Sequence, residues 1–498
     1  MHDAPARSSP DRSAGPVATG TPPGAFRGAA ATLRGLWLDA GLPAAALDGA
    51  ELPDPARPVL AASLPAAGAL QAAIGAAALA AVEVGARRGG PRQRIGVGAD
   101  DAAAEAGGHF AIDGTVPPLW DRLAGLYRCA DGHVRLHTNF AHHRDAALRV
   151  LGLPEGDGTD RAAVEAAVTG WPALKLEDAV MAAGGVAAAL REPSDWDAHA
   201  QAGALAAEPL VDITPIDTGG APAPPRRWPA LAPGARPLAG LRVLDLTRIL
   251  AGPVGARTLA AYGADVLMVN GPHLPNIAAI AELSRGKRSA LLDLRDAAGR
   301  ARLLALAADA HVFLQGYRPG ALDGLGFSAQ ALAERRPGIV CASLAAWGFG
   351  GPWAGRRGFD SLVQTATGLN AIEGRAWAEH QGDGRAPAPR ALPVQALDYA
   401  AGFLLAFGIE TALLRQQQDG GSWQVRVSLA GVGRWLRGLG RVPGGLDGQP
   451  PALEGRLETG ASGWGELTAV RHAARFSHTP PAFDRPAMPP GTHPPAWW

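Results

Sequence analysis

The second half of the chain predicts an α/β fold, a parallel sheet with helices on both faces, joined to a smaller α+β domain in the first half. Three observations carry that expectation. Short β-rich runs alternate with helical runs after residue 240, which implies parallel strands with crossover helices. The strand runs are apolar throughout, as a sheet covered on both sides requires. A Pro- and Gly-rich stretch, TGGAPAPPRRWPALAPGARP at 218–237, separates them from what precedes and reads as a linker.

In order after the linker, strands are expected at 241–246, 265–269, 288–294, 311–315 and 339–344, with helices at 254–262 and 297–308 between them. A long helix over 398–417, a Gly420-Gly421 turn and a strand at 425–427 follow. Before the linker, an Ala-rich helix, Gly89-Gly90, Gln93 and a short strand form a faint copy of that last unit, which suggests an internal duplication. In this register Ala67 stands opposite Asp398. The remainder of the first half shows a strand pair around Tyr127–Cys129 and His133–His137, turned by Ala130-Asp131-Gly132. Helical patterns then cover 144–151 and 176–183. The first 24 residues lack an apolar core and read as a disordered lead. The expected domains are therefore this lead at 1–24, an upstream copy with the α+β domain at 25–217, the linker at 218–237, and the large domain at 238–498.

Composition excludes several classes. The 498 residues carry 46 basic and 46 acidic groups, so no overall field draws in nucleic acid or an acidic membrane. An anionic ligand must then be held by a local cluster. Cys129 and Cys341 lie in separate apolar runs, which indicates neither a disulfide scaffold nor a thiolate metal site and fits a reducing, cytoplasmic location. The uncharged stretch 58–82 is long enough for a bilayer, but its alanine content and Pro65 and Gln71 favour a buried helix.

Three segments could hold a ligand. Asp245 to Pro253 passes from strand to helix, where Gly252 allows close backbone approach and free amides can receive a phosphate, although any α/β unit needs such a corner. Arg285, Lys287 and Arg288 put three cations in four residues of a chain with two lysines; a solvated loop is the bland reading. Gly316-Tyr317-Arg318 follows a strand at the sheet's carboxyl edge, where an aromatic ring beside a guanidinium suits a purine and a phosphate.

Six blocks in order resemble the class III CoA-transferases, the family that includes formyl-CoA and carnitine-CoA transferases and acyl-CoA racemases. They are LRVLDLTRILAGP (241–253), RGKRSALLDLRD (285–296), GYRPGALDGLGF (316–327), ASLAAWGFGGP (342–352), RGFDSLVQTATGL (357–369) and ALDYAAGFLLAFGI (396–409). Upstream, YRCADGHVRLHTN, VMAAGGVAAALREPSDW and AGALAAEPLV resemble the family's small domain, and GELTAVRHAARFSHTPP resembles its terminal strands. The resemblance implies a Rossmann-like large domain and transfer of coenzyme A between an acyl-CoA and a small carboxylic acid. It implies no permanently bound cofactor and no metal.

By that resemblance Asp398 is the nucleophile: its carboxylate attacks the thioester, passing through an anhydride and an aspartyl-CoA thioester, with backbone amides at the helix start receiving the oxyanions. An isolated Asp there would otherwise read as a helix cap. CoA contacts carry over to Arg248, Leu250, Ala251, Leu292, Leu294 and Tyr317, with Lys287 and Arg288 offering charge to the phosphates. The chain departs from the family at Asn270-Gly271, where an acidic then a basic residue is common, and it lacks a secure counterpart of the glycine-rich shielding loop. A homodimer is expected from the resemblance, although a fused chain could provide both lobes itself.

Competing readings are weaker. A racemase would need a histidine where Phe359 stands, and Asp360 beside it reads as a structural cap. A nicotinamide dehydrogenase would need a Gly-rich fingerprint and an acidic residue closing the second strand, neither of which is present. A non-catalytic CoA-binding protein is the remaining alternative. His133, His137, His142 and His143 lack nearby carboxylates and read as core or surface histidines before a metal site.

Overall fold

The computed structural model describes residues 24–220, 222–225 and 228–497. The expected lead therefore lies outside the described residues, except for Gly24, whose carbonyl accepts from the Arg441 amide.

Helix α1, Ala66–Arg87, is built almost wholly from alanine and small apolar residues, which favour helix and permit close packing on every side. It lies against α4, Ala396–Asp419, inside one apolar core that draws residues from both halves of the chain. Each helix is long and apolar enough to cross a membrane, yet their apolar windows are 83% and 100% buried within the protein.

The large sheet has seven strands: β1 Asp212–Pro215, β2 Arg242–Leu246, β3 Asp265–Asn270, β4 Lys287–Leu291, β5 Val312–Gln315, β6 Val340–Ala345 and β7 Trp423–Ser428. Their order is β4-β3-β2-β5-β6-β7-β1, parallel throughout except for β1, which runs antiparallel to β7 at one edge. The sheet thus takes a strand from ahead of 218–237. That segment contains no helix or strand among its described residues, and Arg88 ties it to α1 through the carbonyls of Pro229 and Pro237.

Successive strands move outward from β2 to β4 and then in the opposite direction from β5. The reversal leaves a crevice at the carboxyl ends of β2 and β5, where open α/β sheets bind ligands. From β2 the chain turns into α2, Ala251–Ala261. A Cβ on Gly252 would lie 2.4 Å from the Thr247 Cβ, so this glycine serves the turn itself, not the approach of a ligand expected from sequence. Helices α2 and α4 pack at Gly402, where a Cβ would meet the Ala251 carbonyl oxygen at 2.5 Å. That contact sets the start of α4 beside the β2–α2 turn.

The upstream strands 125–128, 133–136 and 187–189 form an antiparallel sheet with its own apolar cluster around Tyr127, Val134, Leu176 and Val180. The terminal strands do not pair with the large sheet. Residues 465–470 lie between 457–462 and 110–112, and 474–476 pair with 95–97.

Candidate active site

Asp398 is the third residue of α4 and only 8% exposed. Behind it stands Asp360, the fully buried first residue of helix α3, Asp360–Ala366. One Asp360 carboxylate oxygen accepts the amides of Leu397 and Asp398 at 2.8 and 2.9 Å, and the other accepts from the Gln364 side chain. Asp360 is thus a cap, as the sequence suggested, but it caps the start of α4. The Ala396 and Tyr399 amides donate to the Val394 and Gln395 carbonyls. All four amides at this helix start are engaged, so the expected oxyanion donors are not available there.

Burial, and then the Asp360 charge, push the Asp398 carboxyl well above the usual carboxylate range. Asp360 is raised to about 6, chiefly by burial, with its amide donors acting against the shift. The folded pair therefore retains protons that the unfolded chain releases near pH 4. Stability should decline as pH rises from there through the folded values, because the unfolded state binds fewer protons over that window. Asp398→Asn is expected to match the wild type in urea midpoint near pH 3 and to exceed it increasingly toward pH 8. Parallel curves across that range would contradict the shift.

Between β2 and α2, Ile249 has φ of 74°, a left-handed conformation that a β-branched residue rarely adopts. This strained turn forms a wall shared by two cavities, and Asp398 lines both. The first, of about 390 Å³, is lined by Arg248, Arg318, Arg356 and Arg357, with Asp398 as its single acidic residue. Arg356 is paired with Glu177, whereas Arg248, Arg318 and Arg357 form no ion pair among the described residues. Leu250, Ala251 and Tyr317 also line it. Through Leu246, Leu274 and Tyr317 it adjoins a cavity of about 190 Å³ that contains Leu292 and Leu294. Asn270 lines this smaller space with neither side-chain amide atom hydrogen-bonded, although it is buried.

The structure thus gathers Asp398, Arg248, Leu250, Ala251, Leu292, Leu294 and Tyr317 around one connected crevice, and it excludes the two basic residues expected beside them. Lys287 is fully buried, donating to Asp245 at 2.9 Å and to the Pro253 carbonyl at 3.0 Å. Arg288 is 1% exposed and bonded to Asp265 and to the Ala496 carbonyl of the C-terminal segment. The two alternate on β4 and enter opposite faces of a covered sheet, so neither presents charge to a phosphate. Arg318 and Arg357 line the crevice instead. Arg357 stands in the RGFD block, but no local spacing distinguishes it from a solvated arginine.

The third cavity, of about 430 Å³, lies on the other side of Ile249 and Phe359. Much of its wall comes from the upstream half, including Leu60, Ala104, Trp120 and His137. His137 stacks on Phe359 with ring centroids 4.0 Å apart and planes within 6°. Burial lowers His137 and His143 to about 3, so both are neutral imidazoles. Among the described residues no group of three His, Cys, Asp or Glu side chains could hold a metal ion.

Residues 238–439 match the model of CoA-transferase family III. More particularly, the chain is 31% identical over 325 residues to an acyl-CoA transferase of Gibberella moniliformis, covering 63% of this chain and 56% of that protein. It is 30% identical over 216 residues to the succinyl-CoA–L-malate CoA-transferase alpha subunit of Chloroflexus aurantiacus, covering 40% and 48%. A solved CAIB/BAIF family protein from Brucella suis shares 25% identity, with 47% of this chain and 65% of that one covered and a TM-score of 0.35. The chain thus spans about half the length of the curated relatives it matches.

Proposed function

We propose that this chain transfers coenzyme A from an acyl-CoA thioester to a carboxylic acid, with Asp398 as the nucleophile. The observation that carries the reading is the position of Asp398 where a cationic cavity and a largely apolar one meet. A CoA thioester has that same division, an anionic nucleotide end and an acyl end joined at the reacting carbon. The strand order supports a Rossmann-like reading of the large sheet, with the nucleotide end in its crevice.

The Asp398 carboxylate attacks the thioester carbonyl and expels the CoA thiolate, leaving a mixed anhydride. The thiolate then attacks the aspartyl carbonyl, releasing the first acid and leaving an aspartyl-CoA thioester. An acceptor carboxylate attacks in turn, and return of the thiolate to the acceptor acyl carbon regenerates Asp398. Protons balance over the cycle, but the resting Asp398 must first lose one. With the α4 amides engaged, the oxyanion donors are proposed to be the amides of Ala251 and Gly252 at the start of α2, since Pro253 has no N–H and the Val254 amide donates to the Leu250 carbonyl.

Arg248, Arg318 and Arg357 suit the phosphates, and the narrow space of Leu292, Leu294 and Tyr317 suits the base, where Asn270 offers paired donor and acceptor atoms to a purine edge. Arg357→Ala and Asn270→Ala should each raise KM for acyl-CoA about tenfold with smaller changes in kcat. Calorimetric titration with CoA checks both, and unchanged affinity in both variants would remove the nucleotide from this crevice. The transfer chemistry itself is tested by incubating protein with acyl-CoA, adding hydroxylamine, and sequencing by mass spectrometry. A hydroxamate at Asp398 is expected; bound CoA without modification would instead favour a binding protein.

The free, buried cysteines are compatible with a reducing cytoplasm, and the upstream residues around Asp398 support a site completed within one chain.

A further inference from the structure

The third cavity faces Asp398 from the side opposite the arginines, and its chemistry is distinct. No lysine or arginine is among its lining residues, while the wall includes Leu60, Ala104, Leu119, Trp120, Ile277 and Val394. The carboxylate of Glu282 on that wall is already paired with Arg257 and Arg285, and buried His137 is neutral. At the rim the apolar surface continues outward, with Leu119 and Trp120 at 38% and 42% exposure. A volume of about 430 Å³, against roughly 30 Å³ for a water molecule, leaves room for a chain or ring of several carbons.

From these walls we infer that the acyl groups handled here are apolar monocarboxylates, medium-chain, branched or aromatic, and not dicarboxylates. The inference rests on the CoA-transfer reading for the identity of the ligand. A second carboxylate carried past Asp398 would be desolvated with no lysine or arginine among the lining residues and, beside neutral His137, only His109 able to carry positive charge. An alkyl or aryl group would exchange water for the alanine, leucine and tryptophan surface. The upstream half supplies Leu60, Ala104, Leu119 and Trp120 to that surface, so it takes part in acyl specificity.

Binding separates this inference from the transfer chemistry. In Asp398→Asn, which cannot turn over, calorimetry should give hexanoyl-CoA an affinity at least about tenfold above that of succinyl-CoA. Succinyl-CoA binding as tightly as hexanoyl-CoA, or tighter, would overturn the assignment. Leu119→Arg, a change at the exposed rim that the fold should tolerate, is expected to narrow the ratio to about threefold or less. An unaltered ratio in that variant would place the acyl group elsewhere and would also overturn it. Retained hexanoyl preference with no transfer from any thioester in the wild type would refute the CoA-transfer reading and leave the ligand class standing.

Discussion

Asp398→Asn is expected to lower CoA transfer by at least about a thousandfold, because the amide preserves shape while removing the only protein nucleophile the mechanism uses. Binding of acyl-CoA should survive, since the arginines and the small apolar cavity are untouched. Hydroxylamine should then trap nothing on α4. The wild-type rate of adduct formation should also rise with pH, because Asp398 is held in its protonated form by burial and by Asp360. Stopped-flow measurement of thiol release across pH checks this, and full turnover by the variant would end the proposal.

Lys287→Ala should destabilise the fold by about 3 to 5 kcal/mol, the usual cost of stranding one member of a buried ion pair. Its ammonium is the partner of Asp245, which is also fully buried and holds the Thr247 amide and hydroxyl at the start of the β2–α2 turn. Pairing Lys287→Met with Asp245→Asn should recover most of the loss, because neither side chain then carries an unpaired charge. Urea titration of the wild type and the two variants measures the effect. A phosphate-binding lysine would show the reverse pattern, weaker CoA affinity with stability unchanged, and that result would refute the buried role.

Much of the large sheet was legible in advance because its strands are apolar runs broken by turn residues, a local signal. All six parallel strands fall within a few residues of expectation, and the long helix beginning near Asp398 starts only two residues earlier. The segments that hold Arg248, Leu250 and Tyr317 were marked by their place at strand ends, whereas the resemblance to the family singled out the individual residues. Lys287 and Arg288 were misleading for a related reason. Three cations in four residues look solvated when read as a string, but a strand sends neighbouring side chains to opposite faces, and both faces here are covered.

The acyl side of the site carried no comparable mark. Ala104, Trp120 and His137 are remote from Asp398 in sequence and belong to no shared pattern; they meet only because α1 buries its alanine surface against α4 and brings the upstream half with it. The sequence by itself determined the alternation of strands and helices, the turn into α2 and the acidic residue opening α4, since each depends on neighbours within a few positions. Tertiary packing alone decided that Asp360 would cap another helix and raise the Asp398 carboxyl, and that arginines would face one side of it and apolar walls the other. Burial and charge proximity are properties of distance in space, and chain spacing does not encode them.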